Sequence, residues 1–236
     1  MDALPYRSLL FVPAHDADRL DAAYASGADA VVADLEDAVP IDLKEEARSV
    51  LAAVLPHATG AARLVRVNAP ETGLADDDLA AIAELELDAL VLPKATPESV
   101  AALGDAGPPL IAVIESAAGL RQAYEVAAAP RVVALALGAL DLAVDLRLEA
   151  RSDALELLYA RSKLVVDSAA AGVRPPFDRV YTRFDDPAGL EADALFARSL
   201  GFGGKNCSHT SQTAVINRVF ADPAQLADPK RDAYRA

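Results

Sequence analysis

The chain has 236 residues, 53% of them hydrophobic, with 12 Gly and 15 Pro; this excludes a disordered or fibrous polypeptide and suffices for one large domain. Its 22 basic against 36 acidic residues give a net charge of −14, which excludes general nucleic-acid binding and argues against docking on anionic membranes. The single cysteine, Cys207, excludes an internal disulfide framework and a four-cysteine zinc site.

In chain order, the N-terminal MDALPYRSLLFVPAHDADR lacks the layout of a secretory signal, because its apolar run from Leu9 to Val12 is too short. No stretch approaches the ~18 unbroken apolar residues of a membrane span, so a soluble cytoplasmic protein is expected. Short β-branched or Leu-rich runs then alternate with Ala/Leu/Glu-rich stretches. The runs 8–13, 30–36, 63–68, 89–94, 110–116, 132–138, 179–184 and 204–209 are expected as strands. All but the last are nearly continuously apolar, as strands buried on both faces of a parallel sheet must be. Helices are expected over 16–26, 42–55, 74–86, 97–104, 117–128, 154–171, 187–199 and 211–220. Asp16, Asp42 and Ser211 suit N-caps, Pro97 and Pro187 suit first turns, and Gly27, Gly172 and Gly201 suit helix ends. A small additional helix is expected within LDLAVDLRLEARSD, after the sixth strand. Eight β-α units in about 220 residues point to an α/β fold, a single-domain (β/α)₈ TIM barrel over 1–220. Residues 221–236 read as a short polar tail. A doubly wound sheet is the rival, but its nucleotide-binding forms carry a Gly-rich first turn, and here that turn reads VPAHDADR.

In such a barrel, function sits at the carboxyl ends of the strands. Polar residues gather there: Asp34, Glu36 and Asp37; Arg66 and Asn68; Lys94; Glu115; Asp141; Tyr181 and Arg183; Lys205 and His209. Glu115 and Asp141, from adjacent strands, suit an oxygen-seeking Mg²⁺, although either could instead cap a helix. Arg66 suits an anion clamp and could equally pair with Glu36 or Asp37. Lys94 and Lys205 raise Schiff-base chemistry, which needs a lowered amine pKa. For His209 a loop-orienting or helix-capping role is favoured over catalysis, and Cys207 reads as buried filler. Arg7, Lys44 and Arg48 could meet a phosphate or simply solvent.

Seven motifs occur in order: Arg7-Ser8-x-Leu-Phe-Val-Pro, ADAVVADLEDAVP followed by Lys44 and Ala47-Arg48, Arg66-Val67-Asn68, Leu92-Pro93-Lys94, Ile114-Glu115-Ser116-Ala117, Gly138-Ala139-Leu140-Asp141-Leu142 and Gly201-Phe202-x-Gly204-Lys205. Together, over about residues 6–220, they resemble the citrate lyase beta-subunit-like branch of the HpcH/HpaI aldolase/citrate lyase family. The resemblance implies a trimeric or hexameric barrel and Mg²⁺-dependent cleavage or formation of a carbon–carbon bond in 3-hydroxyacyl thioesters. It implies citryl-, malyl- or citramalyl-type substrates carried on CoA or an acyl carrier protein, giving a 2-oxo acid (oxaloacetate or glyoxylate) and an acetyl-type thioester. Carried over, Glu115 and Asp141 become the metal ligands, and Arg66 and Lys94 the catalytic residues. Arg7, Lys44, Arg48, Glu36 and Asp37 join Arg66 in binding substrate or carrier.

The chain departs from the family's pattern at several places. His209 is followed by Thr210 rather than Pro, Tyr181 is followed by Thr182 and Arg183 rather than leading to an Asp, and Ala22 replaces a helix-one lysine. Residues 221–236 carry no counterpart of the C-terminal segment whose Asp completes a neighbouring subunit's site. The alternatives are therefore a non-catalytic or partner-dependent barrel that binds Mg²⁺ and a 2-oxo acid, and a thioesterase or Schiff-base aldolase on the same scaffold.

Overall fold

A computed structural model describes residues 6–151 and 153–221. The expected tail at 221–236 lies, after Ala221, outside the described residues. Eight strands are present: β1 (Ser8–Pro13), β2 (Ala30–Asp34), β3 (Ala62–Arg66), β4 (Ala89–Leu92), β5 (Leu110–Ile114), β6 (Val132–Leu137), β7 (Phe177–Asp178) and β8 (Gly204–Cys207). They form a closed barrel in which each pairs parallel with its sequence neighbours, and β1 pairs with β8 to complete the ring. Closure removes the doubly wound sheet as an alternative.

The apolar runs form strands because both faces are covered. Leu9, Val32, Leu64, Val91, Ile111 and Phe177 fill the barrel interior. Leu10, Val31, Val65, Leu90 and Ala112 point outward and join the layer under the helices. Two cores thus share one ring of strands, with side chains alternating at period two. Each fully buried Leu or Val contributes ~1.5–3 kcal/mol, so the ring is fixed by burial before any polar residue is considered.

The helices are α1 (Ala17–Tyr24), α2 (Lys44–Val54), α3 (Ala75–Ile82), α4 (Pro97–Ala102), α5 (Ala117–Arg121), α6 (Ala123–Ala127), α7 (Ala139–Asp145), α8 (Leu158–Ala171), α9 (Pro187–Leu200) and α10 (Thr213–Val219). Asp16 caps α1 as expected, its carboxylate accepting from Arg19 N. Gly172 and Gly201, at φ 73° and 108°, end α8 and α9 in the left-handed conformation. The additional helix after the sixth strand is α7.

Several expectations are corrected. Asp42 caps nothing: it lies inside a 3₁₀ turn, Ile41–Leu43, that leads into α2. Ser211 is not the cap of the last helical segment. His209 is, and its Nδ1 accepts from Ser211 N at 3.2 Å. Residues 117–128 form two short helices that meet at Gln122. The largest correction is strand seven, expected at 179–184 and found at Phe177–Asp178. Pro175 and Pro176 lack N–H donors, so although Arg174 N–H donates to Val133 O at 3.1 Å and Pro176 O accepts from Gly203 N at 3.0 Å, a continuous ladder runs only over Phe177–Asp178. After Asp178 the chain leaves the ring. The alternation in RVYTRF survives without pairing, since Val180, Thr182 and Phe184 all face the barrel mouth.

Candidate active site

The polar ends of β2 and β3 assemble first. Asp34 closes β2, fully buried. Its carboxylate folds the following loop back, accepting from Glu36 N at 2.9 Å and Ala38 N at 3.2 Å. The same carboxylate receives Arg66 in a two-pronged pair, Nε at 2.7 Å and Nη2 at 2.5 Å. Arg66 Nη1 lies 2.9 Å from Glu36 Oε2, and the guanidinium stacks over Phe11 at 5.2 Å. Burial alone would lower the Arg66 pKa, but Asp34, Glu36 and Glu115 raise it beyond its ordinary value. Arg66 is a fixed, permanently charged group at the mouth. Of the two pairings open to it, Glu36 is taken, together with Asp34, while Asp37 lies by Lys94.

Lys94 couples this cluster to β5. Its φ is 49°, a left-handed conformation that a non-glycine residue adopts at a cost of order 1–3 kcal/mol. The strain places two donors. The Lys94 backbone N–H donates to Glu115 Oε1 at 2.7 Å, and Nζ donates to Glu36 Oε1 at 2.8 Å, with Asp37 at 3.9 Å. The hydrogen bond to Glu36 outweighs partial burial and raises the Lys94 pKa. Glu36 is raised in turn, chiefly by burial, against the pull of Arg66 and Lys94.

Glu115 sits between β5 and the segment that follows β6. A Cβ on Gly138 would lie 2.4 Å from Glu115 Oε2 and 2.5 Å from its Cβ, so only glycine permits this approach. Burial, with the Glu36 and Asp141 charges adding to it, pushes the Glu115 pKa up to about 8. Asp141 stands exposed in the first turn of α7. Neither acid caps a helix. Ser116 caps α5, α7 has no side-chain cap, and Asp141 accepts no hydrogen bond among the described residues. Both carboxylates line one cavity of ≈ 540 Å³ with Asp34, Asp37 and Arg66. Lys94's N–H occupies one Glu115 oxygen, leaving the other, with Asp141, as hard donors of the kind Mg²⁺ takes. No group of three or more metal-ligating side chains occurs among the described residues, so an octahedral ion here would complete its shell with ligand and solvent oxygens. The residues fit that ion.

Other expected residues are placed elsewhere. Arg7 precedes β1, at the barrel end opposite the cavity. It forms a two-pronged pair with Asp29, Nε at 2.7 Å and Nη2 at 2.8 Å. Lys44 is buried and spends its ammonium on Leu35 O (2.5 Å), Glu36 O (2.7 Å) and Asn68 Oδ1 (2.8 Å), and burial lowers its pKa. Arg48 ties α2 to α3 through the buried Asp78 at 2.8 Å. These three cations meet internal partners away from the cavity lining. Lys205 is 0% exposed, held by Asp178 at 2.7 Å and Asp193 at 2.6 Å. Lys205 is sealed in this ion cluster and Lys94 Nζ is engaged by Glu36, an arrangement that does not favour Schiff-base chemistry at either. His209 takes the capping role, its ring against Phe184 at 5.5 Å between centroids, and Cys207 is buried.

Lining residues that were not anticipated include Arg19 and Asn206. Arg19, on α1, reaches the cavity and forms no ion pair among the described residues. Its position one turn past Asp16, at the carboxyl end of β1, could have revealed it. Asn206 lines the cavity from β8, two residues before Ser208. The period-two alternation that sends Lys205 outward could have shown it.

Comparison with known proteins follows this geometry. The family description HpcH/HpaI aldolase/citrate lyase matches residues 7–210. The chain is 37% identical over 224 residues to a (3S)-malyl-CoA thioesterase of Cereibacter sphaeroides, covering 93% of this chain and 78% of that one. Among solved structures, it resembles a citrate lyase beta subunit from M. tuberculosis complexed with oxaloacetate and magnesium. The TM-score is 0.83 at 31% identity, over 93% of this chain and 99% of that one. It also resembles the CitE protein of Mycobacterium tuberculosis in complex with magnesium, acetoacetate and coenzyme A. There the TM-score is 0.82 at 31% identity, over 93% of this chain and 82% of that one.

Proposed function

The chain belongs to the HpcH/HpaI aldolase/citrate lyase family, and on that premise we propose that it is a Mg²⁺-dependent lyase acting on a 3-hydroxyacyl-CoA thioester of the malyl type. The observation that carries this is the meeting of Glu115, Asp141 and Arg66 in one cavity at the carboxyl ends of the strands. Glu115 and Asp141 would hold the ion, which when bound supplies Lewis-acid stabilisation to an oxygen that gains negative charge. Arg66, clamped by Asp34 and Glu36, offers fixed positive charge to the acid end of the substrate. Lys94 holds Glu115 and Glu36 in register. Val113 and Leu137 present apolar surface inside the mouth. In the forward reaction the hydroxyl loses its proton and the carbon–carbon bond breaks. The hydroxyl carbon becomes the carbonyl of a 2-oxo acid, and the thioester enolate takes up a proton.

A second reading, thioester hydrolysis, is favoured by the (3S)-malyl-CoA thioesterase relative. There water adds to the thioester carbonyl, releasing malate and the CoA thiol. Incubation of the purified chain with malyl-CoA and Mg²⁺, followed by chromatography, separates the two: glyoxylate with acetyl-CoA marks cleavage, and malate with free CoA marks hydrolysis. Glu115→Gln and Asp141→Asn are each expected to reduce turnover by a factor of 10² or more, in line with loss of electrostatic stabilisation. Turnover that survives both substitutions and a chelator rejects either reading. Binding of Mg²⁺ and a 2-oxo acid with no turnover points instead to the partner-dependent barrel.

A further inference from the structure

Charge is unevenly placed around the cavity. Its four carboxylates, Asp34, Asp37, Glu115 and Asp141, belong to the side that runs from the end of β2 to α7. The remaining arc is formed by the segment after β7, the end of β8 and the start of α1. It is lined by Val180, Thr182, Phe184, Ser208 and Arg19, and no described carboxylate lines the cavity from it. Acids near this arc are engaged elsewhere: Asp186 accepts from Tyr181 Oη and Gly189 N, and Asp16 accepts from Arg19 N. Two cations line the cavity. Arg66 is held by Asp34 and Glu36, whereas Arg19 stands exposed on α1, its guanidinium with no acceptor among the described residues.

A thioester carried on CoA or on an acyl carrier protein has a phosphate at the far end of an uncharged pantetheine arm. That phosphate must approach a chain whose net charge is −14. With the acyl end held near Glu115, Asp141 and Arg66, an arm leaving over the β2–α7 side would carry its phosphate past carboxylates. An arm leaving over the opposite arc meets apolar surface at Val180 and Phe184, hydroxyls at Thr182 and Ser208, and an unpaired guanidinium whose fork fits two phosphate oxygens. We propose that the arm leaves across this arc and that Arg19 is its phosphate-binding residue, which makes the site prefer a phosphorylated over a phosphate-free thioester. This rests on the reading of the cavity as a thioester site and names the residue that reads the carrier.

The test is calorimetric titration of the intact chain with CoA, 4′-phosphopantetheine and pantetheine, and separately with pyruvate and Mg²⁺. The wild type is expected to bind CoA, less tightly as salt rises, and to bind pantetheine more weakly. Arg19→Gln should weaken CoA ~10-fold, the loss typical of one hydrogen bond between charged groups. It should leave pantetheine, and pyruvate with Mg²⁺, within a factor of two. Arg19→Lys should recover part of the CoA affinity. If 4′-phosphopantetheine shows the same loss as CoA, the contact is the phosphate that both carriers share; if only CoA shows it, the contact lies on the nucleotide and the carrier is CoA. Unchanged CoA affinity in Arg19→Gln, or an equal loss for pantetheine, overturns the proposal. So does a loss for pyruvate alone, because Arg19 would then hold the acid end of the substrate. A wild type that binds pyruvate with Mg²⁺ but not CoA rejects both the proposal and the thioester reading, and leaves the oxo-acid barrel. A wild type that binds CoA but not pyruvate rejects the metal-dependent reading alone, and the Arg19 comparison on CoA still decides the proposal.

Discussion

Gly138 and Lys94 show how far single residues shape the site. Gly138→Ala places a methyl where Glu115 Oε2 now sits, so the carboxylate must move. Mg²⁺ affinity, measured by calorimetry, should fall ~10–100-fold, the range for displacing groups that orient metal ligands. Lys94 is informative because two effects can be separated. Lys94→Ala and Lys94→Gly both delete the ammonium that holds Glu36, and both should lower kcat/KM. Glycine also tolerates φ 49°, so Lys94→Gly should be the more stable by ~1 kcal/mol in denaturant melts. Equal stabilities would show that the left-handed backbone carries no strain. Glu115, Asp141, Arg66 and Lys94 could be located from the sequence because each ends or follows a strand, and barrel topology then sends them to one mouth. Arg7, Lys44 and Arg48 could not be resolved in that way. A basic residue's sequence does not name its partner, and Asp29, Asp78 and the Leu35 and Glu36 carbonyls claim them from 22, 30, 9 and 8 positions away.

Among the elements, β7, β8, α8 and α9 are joined by a buried charge cluster. Arg161 on α8 pairs with Asp178 at 2.8 Å and Asp193 at 3.0 Å. Arg179 and Lys205 converge on Asp193 at 2.8 and 2.6 Å. Burial would raise the Asp193 pKa, but the three cations overcome it and hold the group at about 2, against an ordinary 3.8. The folded value is the lower one. The stabilisation is therefore complete above about pH 4 and is lost as pH falls toward 2, a change on the order of 2 kcal/mol. Asp193→Asn should flatten the stability profile across that window. At neutral pH it should cost ~3–5 kcal/mol, because buried cations lose their counter-charge. An acid limb identical to that of the wild type would reject this account. Lys205 read as a site residue in the sequence because it lies in the last strand. Its outward register, set against Ser8 and Asp178, places it in this cluster instead. The displaced β7 and the divided helix at Gln122 were hidden for a similar reason. Periodicity reports which side a residue faces, but not whether its backbone finds a partner.

For the whole molecule, eight alternations of apolar run and amphipathic stretch pointed to a parallel sheet covered on both faces, and the number of units with no Gly-rich first turn favoured the closed ring over the doubly wound sheet. Association is the property still to be measured. Leu140 and Val144 on α7, and Leu155, Leu158 and Tyr159 around the start of α8, are exposed large apolar residues. The family resemblance leads us to expect trimers or hexamers. Sedimentation equilibrium should then return three or six chain masses, and a single-chain mass would remove that expectation.

The two-residue β7 gives the ring an uneven weave. Where β1–β2 and β2–β3 are each joined by five residue pairs, β6 and β7 share one, Ala136 with Phe177. Local opening is least costly where backbone bonds are fewest. If the circle unclasps anywhere, it does so at this seam, directly below Val180, Thr182 and Phe184. Deuterium should enter the amides of 177–184 before those of β2 and β3, making the same stave both the cavity's wall and its weakest join.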